Sequence, residues 1–538
     1  MTTSPPPTNP KYEKHIFALK AFNSAQLIKY PHLRQLYFFG PISYTNFDPQ
    51  DFTRFCKGLA TLKPLSVLHL NFSWTKQLTD QHLNELAPAL RKLQNLTVVR
   101  LRFRGNYQIL GEGMARLLKA PEKHRSLKEL YLDFAGCGRL FPRHAESIYS
   151  SIRKMDRLSS LHLVHFCIPP TFKPGDLYDN RHKFFADEDG FADIIKKLKR
   201  LHHVKDLNID FSMAPGLLSS HIEALSGVIL RMPRLSNVSL NFGNKFQLQN
   251  AHFEILAHAL KRLPQLQSLH LALPHLTVQG AASDLFHIVS QAFQNSQTLS
   301  SLTLDFHKNQ SIIAKNLESL FLALGTLPNL SRLDLNFNSC SHFNDDIFKV
   351  LASSLANLKN LTYLKLNFLK ARFLSGLSLA SIADGFKHLG SLQGLELGFN
   401  VSHFQLGLPA LFNALNSLAK QLSILGLELS QSKEFEDKDL KALAQVLKEF
   451  DQLGLLRLNL FSTGIGDKGL KELACGVQSM KKLQKLGGNF FGCDGITPKG
   501  IEHFKNCVTL NTSIKESNLN FPGSQQGSRD EKRSCSVF

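Results

Sequence analysis

Cys535 begins the one motif in this sequence that predicts covalent chemistry. It is followed by Ser536, Val537 and Phe538, and this spacing fits the C-a-a-X signal, in which the cysteine thiol receives a prenyl group; a final Phe favours geranylgeranyl. One lipid chain gives reversible membrane binding unless a second signal helps. We therefore predict that Cys535 is a lipidation site, and that the protein is cytoplasmic and peripheral on the inner face of a membrane.

The remaining residue types that could do chemistry form no recognisable catalytic or metal site. No two of the eight cysteines are close enough for a CxxC pair, which argues against a zinc site and a disulfide framework. The histidines do not recur at ligand spacing, and the P-loop, GxSxG and HExxH patterns are missing. The sequence therefore predicts a protein of a reducing compartment that is not an enzyme and has no metal or cofactor.

The net charge points to an acidic partner. The chain has 63 Lys and Arg against 43 Asp and Glu, a formal charge of +20, which attracts lipid head groups, nucleic acid or an acidic protein. No uncharged apolar run is long enough to cross a bilayer, and the first residues lack the apolar segment of a secretory signal. Where the charge lies in the fold decides among these partners.

A repeat organises nearly the whole chain. The pattern LxxLxLxF begins at Leu65, Leu96 and Leu127, each 31 residues after the last. Fifteen copies are present, spaced 30 to 33 residues apart except for one interval of 46, and they begin at Leu33, Leu65, Leu96, Leu127, Leu158, Val204, Leu235, Leu266, Leu299, Leu330, Leu361, Leu392, Leu422, Leu453 and Leu483. Within each copy the apolar period changes from two to nearly four, which predicts a short strand followed by an amphipathic helix.

This pattern resembles the leucine-rich repeat family, and the long unit is similar to its ribonuclease-inhibitor type. The resemblance implies an α/β solenoid shaped as a horseshoe, with a parallel β-sheet on the concave face and helices on the convex face. The repeat departs from the family in length and in the Phe that follows the last strand leucine, which we expect to stack into an aromatic spine. We predict a tail and cap at residues 1–32, the solenoid at 33–505 and a flexible tail at 506–538.

The third, fifth and seventh positions of LxxLxLxF face the concave surface, where this family usually binds its partners. These positions carry six basic and eight acidic residues, so the excess positive charge lies elsewhere. The candidate protein-binding residues are Glu129, Tyr131, Asp133, Asp206, Asp210 and Tyr363. The carboxylates among them would suit a basic segment of a protein partner. The alternative is that Asp and Asn at the seventh position close the turn after each strand by bonding local backbone.

The interval of 46 residues contains an insertion near residues 168–190. Two proline clusters and several aromatic residues make it a possible contact element on a rigid scaffold, with Phe172, Tyr178 and Phe184 as its candidates. The alternative is a tolerated insertion or a degenerate half-repeat.

Basic residues recur near the ends of the predicted helices, as at Arg91–Lys92, Arg153–Lys154, Lys261–Arg262 and Lys481–Lys482. Cations at a helix C-terminus are stabilised by the macrodipole by about 0.3–1 kcal/mol each, which explains single positions. A row of them also predicts a basic rim that anionic lipid would attract. Nucleic acid is a weaker candidate, because no aromatic or glycine residues interleave with the basic stripe.

We therefore predict a non-catalytic scaffold or adaptor that binds a protein on its concave face. One alternative is a GTPase-activating protein similar to the Ran-activating leucine-rich repeat proteins, although those resemble acidic horseshoes with an acidic tail. Another is a substrate receptor of a ubiquitin ligase, since some F-box proteins with leucine-rich repeats look prenylated. The stretch before Leu33 is short for an F-box and a linker.

Overall fold

The computed structural model comprises two compact units, residues 1–266 (unit 1) and 267–538 (unit 2). It describes residues 15–17, 27, 30–39, 49–75, 77–137, 142–164, 198, 201–212, 219–243, 250–275, 282–309, 312, 314–340, 343–371, 374–399 and 406–522. The insertion candidates Phe172, Tyr178 and Phe184 and the predicted lipidation site Cys535 lie outside these residues.

Unit 1 alternates strands and helices along the chain. Its strands are β1 (His15–Phe17), β2 (Gln35–Phe39), β3 (Val67–Asn71), β4 (Val98–Arg102), β5 (Glu129–Asp133), β6 (Ser160–Val164), β7 (Asp206–Asp210) and β8 (Asn237–Asn241). Its helices are α1 (Pro49–Leu59), α2 (Asp80–Arg91), α3 (Gly111–Leu118), α4 (Pro142–Arg153), α5 (Ser219–Ile229) and α6 (Asn250–Lys261). Each strand pairs in parallel with the next one along the chain.

Unit 2 repeats the same arrangement. Its strands are β9 (Ser268–Ala272), β10 (Ser301–Asp305), β11 (Arg332–Asn336), β12 (Tyr363–Phe368), β13 (Gly394–Phe399), β14 (Ile424–Glu428), β15 (Leu455–Asn459), β16 (Lys485–Asn489) and β17 (Glu516–Asn520). Its helices are α7 (Ala282–Gln291), α8 (Ala314–Leu324), α9 (Asp345–Ala356), α10 (Gly376–Phe386), α11 (Leu408–Leu418), α12 (Asp437–Leu447), α13 (Asp467–Ser479) and α14 (Pro498–Leu510). These strands are also parallel and pair in chain order.

The alternation of leucines sets which side of the sheet is buried. Leu68 and Leu70 of β3 are fully buried, whereas Val67 and Asn71 keep partial exposure. The helices cover the leucine side, because Phe337 after β11 lies 6.1 Å, between ring centroids, from Phe321 of α8. The predicted fold class, an α/β leucine-rich repeat solenoid with a parallel sheet on one side and helices on the other, is confirmed in each unit.

A phenylalanine that follows most of the described strands forms the predicted aromatic spine, which is interrupted in unit 2 where Leu273, Leu429 and Leu460 take its place. The ring of Phe103 stacks on Phe72 and Phe134 at centroid distances of 5.6 and 5.3 Å. In unit 2 the ring of Phe337 stacks on Phe306 and Phe368, both at 5.4 Å. Where two such phenylalanines are neighbours, their stacking holds the turns of adjacent repeats in register.

A second buried column, which we call the loop ladder, lies three residues after several of these phenylalanines, and after Leu460 in the repeat where leucine takes their place. Its members include Asn106, Cys137, Asn309, Cys340, Thr463 and Cys493. The Asn106 side chain donates to the carbonyls of Phe72 and Phe103 at 2.8 and 2.7 Å, and the Cys137 thiol donates to the carbonyl of Phe103 at 3.1 Å. This spacing is that of the Asn or Cys in the family pattern LxLxxN/C. The phenylalanine thus lies three residues before the Asn or Cys, where that pattern has its last leucine.

The backbone between these two columns takes a left-handed conformation. Two residues after the phenylalanine, φ is +65° at Trp74, +76° at Gly105 and +61° at Lys308. The Trp74 and Lys308 amides donate to carbonyls of the next repeat, those of Arg104 at 2.6 Å and Asn338 at 2.7 Å. The parallel hydrogen-bond ladder thus continues past the end of the strands.

The ordered repeats extend beyond the predicted bounds of 33 and 505. Strand β1 pairs with β2 before the first predicted copy, helix α14 runs to Leu510 and β17 pairs with β16. The last copy was missed because Ser517 occupies the place of a core leucine. Phe521 still stacks on Phe490 at 5.1 Å. Among the described helices, none is long and apolar enough to cross a bilayer.

Candidate protein-binding surface

The side chains at the third, fifth and seventh repeat positions lie on the side of each sheet away from the helices. We call this side the open face. Neighbouring strands in a sheet are about 4.8 Å apart, so side chains at equal positions in consecutive repeats form rows. Arg100 of β4, Tyr131 of β5 and His162 of β6 are neighbours in one such row.

The seventh position has mainly a structural role. Its Asp or Asn side chain accepts the backbone N–H two residues on, and the distances at nine such turns run from 2.8 to 3.3 Å. Asp133 accepts from Ala135, and Asp210 accepts from Ser212. Asp133 is also only 4% exposed. For these two binding candidates the geometry favours the turn-closing alternative.

Unit 1 places an aromatic residue between charged neighbours, in a group that we call the Tyr131 patch (Arg100, Arg102, Glu129, Tyr131 and His162). The guanidinium of Arg102 lies 4.8 Å from the centre of the Tyr131 ring, and the His162 ring lies 5.8 Å from it. Arg100 Nε donates to Glu129 Oε1 at 2.6 Å. The patch is therefore held in place before any partner arrives.

His69 lies beside the Tyr131 patch and carries no charge at neutral pH. Its ring is 5.8 Å from Tyr37 and 5.9 Å from Phe39, and the residue is 9% exposed. Burial, together with the positive charges of Arg102 and Arg100, lowers the pKa of His69 to about 4. Burial also raises the pKa of the Tyr131 phenol, although the charge of Arg102 opposes this.

The four predicted carboxylates of unit 1 each have a donor within the fold. Glu129 accepts from Arg100, Asp206 accepts from Asn237, and the other two close turns as described above. Asp133 is also 3.5 Å from Arg104 Nε. A basic segment of a partner would have to compete with these donors, so the described contacts give the expected acidic docking stretch no support.

Unit 2 gathers charged residues around one glutamate, in a group that we call the Glu396 cluster (Arg332, Tyr363, Lys365, Glu396 and Arg457). Tyr363 donates its hydroxyl to Glu396 Oε1 at 2.5 Å. Lys365 Nζ lies 3.8 Å from Glu396 Oε2, and Arg457 Nη1 lies 3.8 Å from Glu396 Oε1. The Arg332 guanidinium stacks on the Tyr363 ring at 3.7 Å.

The surroundings of Tyr363 keep its hydroxyl group protonated. The pKa of Tyr363 is raised well above its usual range, mainly by burial. The hydrogen bond to Glu396 and the negative charge of that carboxylate raise it further. The phenol therefore remains a donor to Glu396 throughout the physiological range. The side chain of Glu396 is 13% exposed, whereas that of Arg457 is 40% exposed, so the outward charge of the cluster is positive.

Glycines beside the Glu396 cluster let its side chains lie flat on the sheet. A Cβ at Gly394 would lie 2.6 Å from Cδ2 of Tyr363, and a Cβ at Gly426 would lie 3.1 Å from Cγ of Glu396. Each side chain thus leans over the glycine of the next strand.

The structure brings together some of the predicted candidates. Glu129 and Tyr131 belong to one patch, whereas Asp206 is two strands away, separated from Glu129 by Ser160. Sequence reasoning missed the Glu396 cluster as a group, although its members share rows: Arg332 pairs with Tyr363, and Lys365 pairs with Glu396. Among the described residues, no cluster of His, Cys, Asp and Glu could hold a metal ion.

The comparisons with known proteins give a distant similarity. No protein-family model and no curated protein matches this chain. Among solved structures, a similar chain comes from the crystal structure of the Rad7 and Elc1 complex in yeast. The two are 17% identical, with a TM-score of 0.42, over 79% of this chain and 86% of that chain.

Proposed function

We propose that this protein is a non-catalytic scaffold or adaptor that binds another protein on the open faces of its sheets. The observation that supports this most directly is the Glu396 cluster, in which a half-buried tyrosine is fixed by an arginine and a glutamate on a rigid sheet. Tyr and Arg are among the residues that dominate protein–protein binding energy, particularly when their rotamers are held before binding. The Tyr131 patch repeats this Arg-over-Tyr arrangement in unit 1.

The charges of the Glu396 cluster suggest the chemistry of the contact. Arg332 is exposed, and Arg457 keeps 40% of its side chain exposed, while the carboxylate between the basic groups is mostly covered. A carboxylate of the partner would complete the coordination of these cations. We therefore expect an acidic side chain of the partner at the centre of the interface in unit 2.

The test is affinity purification with quantitative mass spectrometry on matched variants. We expect Arg332→Ala and Tyr363→Ala to lose the same set of co-purifying proteins, each by at least tenfold, because truncating a central hot spot costs about 2 kcal/mol or more. Lys349→Ala on the exposed face of α9 is the control and should retain that set. Equal recovery from all three variants, with folding verified by circular dichroism, would contradict binding at the open face of unit 2.

Lipid attachment at Cys535 is a second part of the proposal and rests on the pattern Cys535-Ser536-Val537-Phe538. We expect an N-terminally tagged protein to fractionate with membranes in a eukaryotic cell and a Cys535→Ser variant to be less membrane-bound. If both forms fractionate alike, thioether attachment at Cys535 plays no part in the localisation.

A further inference from the structure

The positive charge of unit 1 is concentrated along one edge. We define the basic edge as the segments that run from the last residue of a helix towards the next strand (59–66, 91–97, 118–128, 153–159, 229–236 and 261–266) together with residues 201–205 before β7. It carries fifteen cations, namely Lys63, Arg91, Lys92, Lys119, Lys123, Arg125, Lys128, Arg153, Lys154, Arg157, Lys205, Arg231, Arg234, Lys261 and Arg262. Glu122 and Asp156 are its only carboxylates.

These cations face solvent and are mostly not neutralised. Fourteen of the fifteen are exposed, and Arg153 is partly exposed. Along the described basic edge, an ion pair joins Lys154 Nζ to Glu122 Oε1 at 2.8 Å. The charge is thus available to a ligand and is not consumed within the fold.

The corresponding edge of unit 2 differs. Its segments, defined in the same way from the last helix residue (291–300, 324–331, 356–362, 386–393, 418–423, 447–454, 479–484 and 510–515), hold seven lysines, two carboxylates and no arginine. Lys387 is paired with Asp384 at 2.9 Å, and Lys420 is paired with Asp451 at 3.0 Å. The matching segments of unit 2 therefore show that the repeat folds without the excess positive charge.

This contrast separates a binding role from helix stabilisation. Helix dipoles favour cations at C-termini, and the effect fades beyond the last turn. The helices of unit 2 have the same dipoles, yet their following segments are far less basic. Lys128, Lys205 and Arg234 also lie in the segments beyond the helix ends, immediately before or close to a strand. Helix capping therefore explains only a fraction of the fifteen cations.

We propose that the basic edge of unit 1 binds the surface of an anionic lipid bilayer. Neighbouring strands are about 4.8 Å apart, so the seven segments form a row roughly 30 Å long on the strand side. A bilayer surface presents anionic head groups along the whole length of this row. Each Lys or Arg near such a surface contributes about 1 kcal/mol. The described basic edge has no Phe, Tyr or Trp on which bases could stack, so the surface lacks what single-stranded nucleic acid would use.

The experiment uses the full chain produced in bacteria, which adds no prenyl group, with flotation on phosphatidylcholine vesicles with and without phosphatidylserine. We expect binding only to vesicles that contain phosphatidylserine, and weaker binding as salt rises. The variant Arg231→Gln/Arg234→Gln removes two exposed cations of the basic edge, and Lys481→Gln/Lys482→Gln removes two from the matching edge of unit 2. The first should bind about 25-fold more weakly, at about fivefold per charge, and the second should bind like the parent.

Three results would overturn the inference. The first is no binding to phosphatidylserine vesicles at low salt. The second is an equal loss in both double variants, since that would reflect net charge and no specific edge. The third is tighter binding to a DNA duplex than to the vesicles at equal salt, which would assign the edge to nucleic acid. None of these results depends on the open face, so protein binding there can succeed or fail separately.

Discussion

Tyr363 shows how much a single position of the open face depends on its neighbours. Its ring lies between the Arg332 guanidinium and the backbone of Gly394, and its hydroxyl is bonded to Glu396. A glycine on an adjacent strand is therefore part of what holds the aromatic side chain. Substituting that glycine tests the orientation of Tyr363 without removing it.

We expect Gly394→Ala to displace the Tyr363 ring, because the added Cβ would lie 2.6 Å from Cδ2. The hydrogen bond to Glu396 would lengthen, and affinity for the protein captured by the open face should fall about tenfold, the scale of a disturbed hot spot. Gly390→Ala is the control, because a Cβ there meets nothing within 4 Å. Unchanged affinity in both variants would show that the orientation of Tyr363 does not matter for binding.

His69 gives unit 1 a dependence on pH. Its pKa is lowered to about 4 in the folded protein by burial and by Arg102 and Arg100, whereas the unfolded chain takes up the proton below about pH 6.5. The stabilisation is therefore complete above pH 6.5 and is lost as the pH falls towards 4. We expect His69→Gln to reduce the fall in the free energy of unfolding between pH 7 and pH 4 by about 1–3 kcal/mol.

Urea unfolding at a series of pH values measures this difference. His203, which is exposed, provides the control variant His203→Gln. Part of the slope should survive in His69→Gln, because burial also lowers the pKa of His221 to about 4. Identical slopes for the parent and His69→Gln would show that the environment of His69 does not suppress its protonation.

At the scale of the repeat element, the loop ladder holds each turn to the one before it. Asn106 is fully buried and bonds two carbonyls, those of its own turn and the preceding one. Cys137 and Cys340 fill the same place with a thiol. Asparagine and cysteine thus meet one requirement, which is a donor towards the carbonyl of the preceding turn, whereas Thr463 donates to Leu460 in its own turn.

We expect Asn106→Ala to destabilise the protein by about 2 kcal/mol, because two buried carbonyls lose a donor. Asn106→Cys should destabilise the protein less, because the Cys137 thiol makes the corresponding hydrogen bond in the next turn at a sulfur–oxygen distance of 3.1 Å. Thermal and urea unfolding of the two variants measure the difference. If cysteine destabilises as much as alanine, the ladder acts by filling volume and not by hydrogen bonding.

The sequence predicts the elements well because each strand repeats its buried leucines with period two. The recurring Phe predicted the aromatic spine, and the Asp and Asn residues at the seventh position predicted the turn closure seen at Asp133 and Asp210. The last strand was missed where Ser517 replaces a leucine. The Glu396 cluster was missed because the repeat spacing predicts only which residues are neighbours on adjacent strands. The position of the Tyr363 side chain over Gly394 depends on side-chain torsions and packing, which the spacing does not encode.

At the scale of the whole molecule, each unit is built from contacts between adjacent repeats. Stability in such proteins is approximately a sum of repeat and nearest-neighbour terms. Phe337 belongs to this chain of contacts, because its ring meets Phe306 and Phe368 of the flanking repeats and Phe321 of α8. A defect at Phe337 should therefore be felt most in the repeats on either side.

We expect Phe337→Ala to cost about 3–5 kcal/mol locally and to lower hydrogen-exchange protection most in β10, β11 and β12. Protection in β16 and β17 should change least within unit 2. Hydrogen exchange with mass spectrometry resolves these segments, and Phe490→Ala, near the other end of unit 2, should give the opposite gradient. An equal loss of protection across all strands of unit 2 would show that it unfolds as one cooperative body.

The buried cysteines of the fold can report on the local opening of individual repeats. Cys56, Cys137, Cys340 and Cys493 are buried, and burial raises the pKa of each thiol, to about 12 for Cys340. A thiol reagent reaches them only when their own repeat opens, whereas Cys475 is exposed from the start. Because these four thiols lie in different repeats, the order in which they are alkylated would time the loosening of those repeats without any introduced probe. Cys507 is a fifth buried thiol and would report on the same repeat as Cys493.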